Sequence, residues 1–158
     1  MKGFTLIELM ITIAILGILA GISIGVGPGI IHSAKVRAEL RGFISDCRKA
    51  QMHAIKTNRN VALTAQVGPP GTYQLFEDDN ENFTYDAGEK MISDTTLQRL
   101  EITAIDTEGT VGVVAFNSRG MCEVNNDQLS TPLAEITLQA KDNTYTFEIM
   151  LTGLVKLQ

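Results

Sequence analysis

The sequence predicts an α+β chain: a long N-terminal helix, apolar in its first half and amphipathic in its second, packed on an antiparallel β-sheet. Three observations predict it. A nearly unbroken apolar run extends from Phe4 to Val26 and carries one charge, Glu8. Apolar residues then recur at three- and four-residue spacing from Val36 to Asn58. From Val61 onward, short β-rich segments alternate with Gly, Pro and Asn turns.

The apolar run follows Met1, Lys2 and Gly3 directly. Its length in a helix, at a rise of ~1.5 Å per residue, is roughly 35 Å, enough to cross the hydrocarbon core of a bilayer. A charged side chain costs about 2.5–3.5 kcal/mol or more at mid-membrane, so Glu8 needs a compensating partner. A secretory signal cut after Ala20 or Gly25 would carry an apolar stretch of only about 7–15 residues and no acid. A buried core helix, apolar all round, needs more surrounding protein than the rest of the chain easily supplies. A plain anchor explains the length and leaves Glu8 unexplained.

Gly25-Val26-Gly27-Pro28-Gly29 ends the run, because glycine is a poor helix former and Pro28 clashes with the preceding turn. Gly17 and Gly21 extend this soft region, or permit close helix packing in lipid. The second helical stretch places Val36, Leu40, Phe43, Ile44, Cys47, Ala50, Ala54, Ile55 and Asn58 on a core-facing stripe. Lys35, Arg37, Arg41, Arg48, Lys49, Lys56 and Arg59 cover the other side, more than half of the 13 basic residues. Asn58 and Asn60 signal its end. Strands are expected at 61–67 and 73–76 around Gly68-Pro69-Pro70-Gly71, at 100–105 and 111–116, at 135–140 and 144–151 around Lys141-Asp142-Asn143, and at 154–157. The expected organisation is a leader at 1–3, a hydrophobic helix at 4–27, an amphipathic helix at 28–60 and a sheet part at 61–158.

With 158 residues, there is room for one domain beyond the apolar helix. A formal net charge of −5 excludes nucleic-acid binding by the whole surface and leaves room for a local basic patch. Two cysteines exclude a disulfide-stapled miniprotein.

Gly3-Phe4-Thr5-Leu6-Ile7-Glu8-Leu9 resembles the processing site of type IV pilins and type II secretion pseudopilins. Ala50 to Val61 and Phe116-Asn117-Ser118-Arg119-Gly120 resemble inner motifs of the GspH/FimT group of minor pilins and pseudopilins. The resemblance implies a pilin-like fold and a structural role rather than an enzymatic one. It implies cleavage after Gly3 by a prepilin peptidase, methylation of Phe4, and an apolar helix held first in the inner membrane and then in a filament core. It implies pairing of Glu8 with the freed amine of Phe4 on a neighbouring subunit. The implied partners are other pilin or pseudopilin subunits, the peptidase, an inner-membrane assembly platform, and membrane lipid before assembly. The globular part would stand in the periplasm, and no cofactor is implied. A major pilin and a DNA-binding minor pilin for DNA uptake are the alternatives.

No catalytic constellation is legible. His32 and His53 lie on one helix without a cysteine or carboxylate at ligand spacing. Asp78, Asn80, Asn82, Thr84, Asp86 and Glu89 have the spacing of a calcium loop, yet Phe83 stands where the sharp turn calls for glycine. A solvated acidic loop is the competing reading. Cys47 and Cys122 either close a disulfide or sit as two buried thiols. The basic helix face meets DNA phosphates or, in an assembly, acidic loops such as 77–81 of the next subunit.

Overall fold

The computed structural model describes residues 3–24, 28–106, 113–124, 134–141 and 143–158. Two helices come first, α1 (Leu6–Ile24) and α2 (Pro28–Thr57). Residues 25–27 of the expected soft segment lie outside the described residues, and Pro28 is the first residue of α2, where a proline costs no helical hydrogen bond. The chain divides into two compact units, Met1–Lys35 and Val36–Gln158.

In the second unit, α2 buries Val36, Leu40, Phe43, Cys47, Ala50 and Ala54, a spacing that repeats four, three, four, three, four and so keeps one stripe on the core. Ile55 and Asn58, expected on that stripe, are both exposed. Asn58 instead ends the helix: it takes a left-handed φ of 54°, and Arg59 N–H bonds back to the Ala54 carbonyl at 3.3 Å.

Among the described residues, nine strands form two antiparallel sheets rather than the single sheet expected. The first comprises β1 (Asn60–Gln66), β2 (Thr72–Asp78), β3 (Met91–Thr96), β5 (Val113–Phe116) and β6 (Cys122–Val124), in the order β3-β2-β1-β5-β6. The second comprises β4 (Glu101–Asp106), β7 (Ala134–Ala140), β8 (Asn143–Ile149) and β9 (Val155–Leu157), in the order β4-β7-β8-β9. β3 and β6 were not legible: β3 carries Ser93 and Asp94 and faces solvent on much of its length, and β6 has only three residues. Residues 111 and 112 of the expected 111–116 strand lie outside the described residues.

Both sheets turn their apolar faces to α2. Val61, Leu63, Leu75, Val114 and Phe116 of the first and Ile136, Leu138, Phe147 and Ile149 of the second share one buried cluster with the helix stripe. Phe43 joins them, with its ring stacked on Phe147 at 4.7 Å and edge-on to Tyr73 at 5.1 Å. The far face of the first sheet is closed by the 79–90 loop, where Phe83 packs with Met91 over Ala62, Phe76 and Ala115. Gly71 brings the β1–β2 turn against β4, since a Cβ there would lie 2.9 Å from the Ile102 backbone nitrogen. Phe43→Ala removes the ring that touches both sheets, and we expect a loss of about 3–5 kcal/mol in denaturant unfolding.

Candidate functional site

Gly3 and Phe4 precede α1, and Phe4 is 86% exposed, so the Gly3–Phe4 bond is accessible. Thr5 caps the helix. Its hydroxyl accepts the Glu8 backbone N–H at 3.3 Å, while the Glu8 carboxylate accepts the Thr5 N–H at 3.0 Å and the Thr5 hydroxyl at 3.1 Å. This reciprocal pattern is a capping box, and its Thr-x-x-Glu signature is present in the sequence as Thr5-Leu6-Ile7-Glu8. It places the carboxylate at the positive end of the helix dipole. The apolar side chains of α1 from Leu6 to Ile18 are between 52% and 78% exposed and point to all sides. So continuous an apolar surface needs lipid or protein around it. Among the described residues no helix is long and apolar enough to cross a membrane. The 19 described residues of α1 span about 28 Å, just short of the roughly 30 Å hydrocarbon core.

On the globular unit, β2 runs on to Asp78, so Glu77 and Asp78 belong to a strand and are buried, not to a solvated loop. Glu77 receives His53 Nε2 at 2.6 Å and Lys90 Nζ at 3.1 Å, with Arg59 at 3.6 Å from its other oxygen. Arg59 also pairs with Asp79 at 2.5 Å. His53, partly exposed on α2, is the helix's link to this carboxylate. The hydrogen bond from His53, and then the Lys90 charge, hold the Glu77 carboxyl below the usual carboxylate range against the opposing effect of burial.

The calcium-loop spacing is filled by hydrogen bonds within the loop. Asp78 accepts the backbone N–H groups of Asn82 and Phe83, at 3.2 and 2.9 Å. Glu89 accepts those of Asp79 and Asp86, at 3.1 and 2.9 Å. The side-chain amides of Asn80 and Asn82 both donate to Asp86, at 2.8 and 2.7 Å, which lowers its carboxyl below the usual range. Phe83 itself takes the left-handed conformation, φ 61°, while its ring packs beneath the first sheet. Among the described residues no group of three or more His, Cys, Asp or Glu side chains is arranged to hold a metal ion.

Gln51 ties α2 to two turns, donating to the Gly120 carbonyl at 2.6 Å and the Thr152 carbonyl at 3.3 Å. This explains the glycine of the Phe116–Gly120 motif. Gly120 has φ +77°, and a Cβ there would lie 2.8 Å from Ile55 Cδ1, while a Cβ on Gly153 would collide with the Gln51 amide. Cys47 and Cys122 are both buried and both free thiols. Burial pushes each thiol up, so little thiolate is available at neutral pH. The exposed side of α2 carries a shallow groove of about 460 Å³ lined by Ser45, Arg48, Lys49, Met52, His53 and Lys56.

A capped apolar helix followed by an amphipathic helix on antiparallel sheets is the architecture of a pilin-like subunit. Residues 1–24 match the prokaryotic N-terminal methylation motif, and residues 39–153 match the family of the type II transport protein GspH. The chain belongs to that GspH family. It is 32% identical over 90 residues to the pilin-like protein PilA1 of Thermus thermophilus, a match covering 56% of this chain and 56% of that protein. The chain thus spans about half the length of the curated relative it matches. Its fold is similar to the type IV minor pilin FimU of Pseudomonas aeruginosa, with TM-score 0.54 and 11% identity over 77% of this chain and 91% of that one. The minor pseudopilin EpsH of the Vibrio cholerae type 2 secretion system is similar at TM-score 0.51 and 12% identity, over 77% and 94%. Family and fold are those of structural pilin and pseudopilin proteins, not of known enzymes.

Two measurements check this geometry. Glu77→Gln should cost about 1.5–3 kcal/mol at neutral pH, the range for a hydrogen bond to a charged group. Because the folded-state pKa of Glu77 is depressed, its contribution is complete above the ordinary carboxylate range, about pH 4, and is lost as the pH falls through the lower folded value. The stability gap between wild type and variant should therefore close on acidification. Intact mass under non-reducing denaturing conditions should show both thiols free and alkylatable, whereas the native protein should alkylate slowly.

Proposed function

We propose that this chain is a membrane-held filament subunit, cut between Gly3 and Phe4 by a prepilin peptidase, methylated at Phe4, and assembled through α1. Before assembly, the apolar helix holds it in the inner membrane as a single pass, with residues 36–158 on the periplasmic side. An assembly platform in that membrane then passes it into a pilus or pseudopilus. In this scheme, residues 1–3 are the leader, 4–27 the hydrophobic helix, 28–60 the amphipathic helix and 61–158 the sheet part. The work is mechanical rather than catalytic.

The observation that carries this reading is the exposed apolar surface of α1 behind a capped carboxylate. Lipid satisfies that surface in one state and other subunits satisfy it in the next. In lipid, the cap gives the Glu8 oxygens two hydrogen bonds but leaves the charge uncompensated. Cleavage supplies a new ammonium at Phe4, and pairing across subunits neutralises both groups. That requirement fixes the stagger of one helix on the next.

Gly3→Val should leave residues 1–3 attached and Phe4 unmethylated, as read by intact mass. Glu8→Val should still reach the membrane fraction and still be cut, yet its recovery in sheared filaments should fall by about tenfold or more, equivalent to at least ~1.4 kcal/mol. Wild-type recovery of Glu8→Val would overturn the register role.

A further inference from the structure

The exposed side of α2 in the second unit is a cationic face. Arg37, Arg41, Arg48, Lys49 and Lys56 are exposed, and at about 100° per residue they fall within an arc of roughly 120° opposite the buried stripe. None of the five has an ion pair among the described residues. The acids of the same helix segment are used elsewhere. Glu39 accepts the Gln98 and Arg99 backbone N–H groups at 3.2 and 3.0 Å, and Asp46 accepts the Tyr73 hydroxyl at 2.8 Å. The 77–81 acids are committed as well, since Glu77 and Asp79 are matched to His53, Lys90 and Arg59 and Glu81 accepts the Asn60 amide.

Two large apolar side chains share that arc, Met52 at 70% exposed and Ile55 at 52%. Met52 lines the shallow groove of about 460 Å³ between Arg48, Lys49 and Lys56. Apolar tips set among cations are the pattern of a helix at a lipid interface, where the cations meet phosphate and the tips reach the acyl boundary. A nucleic-acid backbone would engage the cations alone. The chain's net charge of −5 also repels a free polyanion at long range, so approach to one needs a tether. The chain supplies that tether. Arg37 stands six residues after Ile31, the last exposed large apolar residue before the cations. Six residues reach at most about 21 Å, so a chain held by its apolar segment keeps the basic face near the headgroups at high effective concentration.

We propose that the basic face of α2 binds anionic phospholipid headgroups of the membrane that holds α1, with Met52 and Ile55 reaching between them. Each cation brought to an anionic surface strengthens the contact by about fivefold. The contact belongs to the membrane-held state and is given up when the subunit leaves the bilayer. It rests on the membrane-held reading proposed above and names the chemistry that the second unit meets there.

The test places the full-length chain in vesicles of phosphatidylcholine alone or with about one quarter phosphatidylglycerol. A membrane-impermeant, amine-reactive ester then labels exposed lysines, and peptide mass gives each rate relative to Lys156 of the same chain. Lys141 and Lys156 are exposed on the second sheet, away from the basic face, and serve as internal controls. With phosphatidylglycerol, Lys49 and Lys56 should label about fivefold or more slowly, while Lys141 keeps its rate. High salt should remove the protection, and so should Arg37→Gln, Arg41→Gln and Arg48→Gln combined in one chain. Equal relative rates in both vesicles, or protection that survives the three substitutions, would overturn the proposal. Protection by duplex DNA on phosphatidylcholine vesicles, with none by phosphatidylglycerol, would overturn it in favour of a nucleic-acid partner. Protection confined to the cells' own membranes would overturn it in favour of an acidic protein. If the chain sediments with both vesicles and shows no protection, only the headgroup contact falls. If it sediments with neither, the membrane-held reading falls.

Discussion

Phe43 stands where two sheets and a helix meet, and that three-way contact governs how the globular unit is built. Its ring lies flat on Phe147 of the second sheet and meets Tyr73 of the first edge-on. The inward faces of both sheets share one buried cluster with the α2 stripe. The constraint propagates outward. A stripe of Ala50 and Ala54 beyond Phe43 brings the end of the helix close to the first sheet. There His53 reaches Glu77, and Gln51 reaches the carbonyls of two turns. The left-handed glycines at 120 and 153 follow from that approach.

The polar features divide by the same geometry. Acids next to the helix–sheet seam are consumed by it: Glu39 caps a loop, Asp46 holds a tyrosine and Glu77 gathers His53, Lys90 and Arg59. Glu77 is buried, yet Arg59 and Lys90 beside it are half-exposed or more, so the cluster closes the edge of the core without a desolvated cation. Among the described residues, Arg37, Arg41, Arg48, Lys49 and Lys56 on the exposed side of α2 have no ion pair.

The long helix, its stop at Asn58 and most strands were legible because each depends on local periodicity and turn chemistry. What was not legible depends on distance in the chain. Nothing local marks 61–67 and 135–140 as members of different sheets, since both alternate in the same way. The three-residue β6 forms only because β5 lies beside it. Composition made Glu77 and Asp78 look like loop acids, but their pairing to Val61 and Asn60 makes them strand ends. Ile55 satisfied the helical period and still lies at the surface, where it covers Gly120 instead of entering the core. At the N-terminus the case is reversed. Thr5 and Glu8 form their bonds three residues apart, so the capping box is a local feature that the Thr-x-x-Glu spacing alone encodes.

That capping box has a consequence for maturation. Its hydrogen bonds begin at Thr5, one residue beyond the Gly3–Phe4 bond. A cut there leaves every partner of the cap in place and converts only the Phe4 nitrogen from an amide to an amine. In the proposed processing, precursor and product would share one conformation at the helix start, so that the cut would be a change of charge on a fixed scaffold rather than a folding step. On that proposal the carboxylate would already be held still when its counter-charge is made.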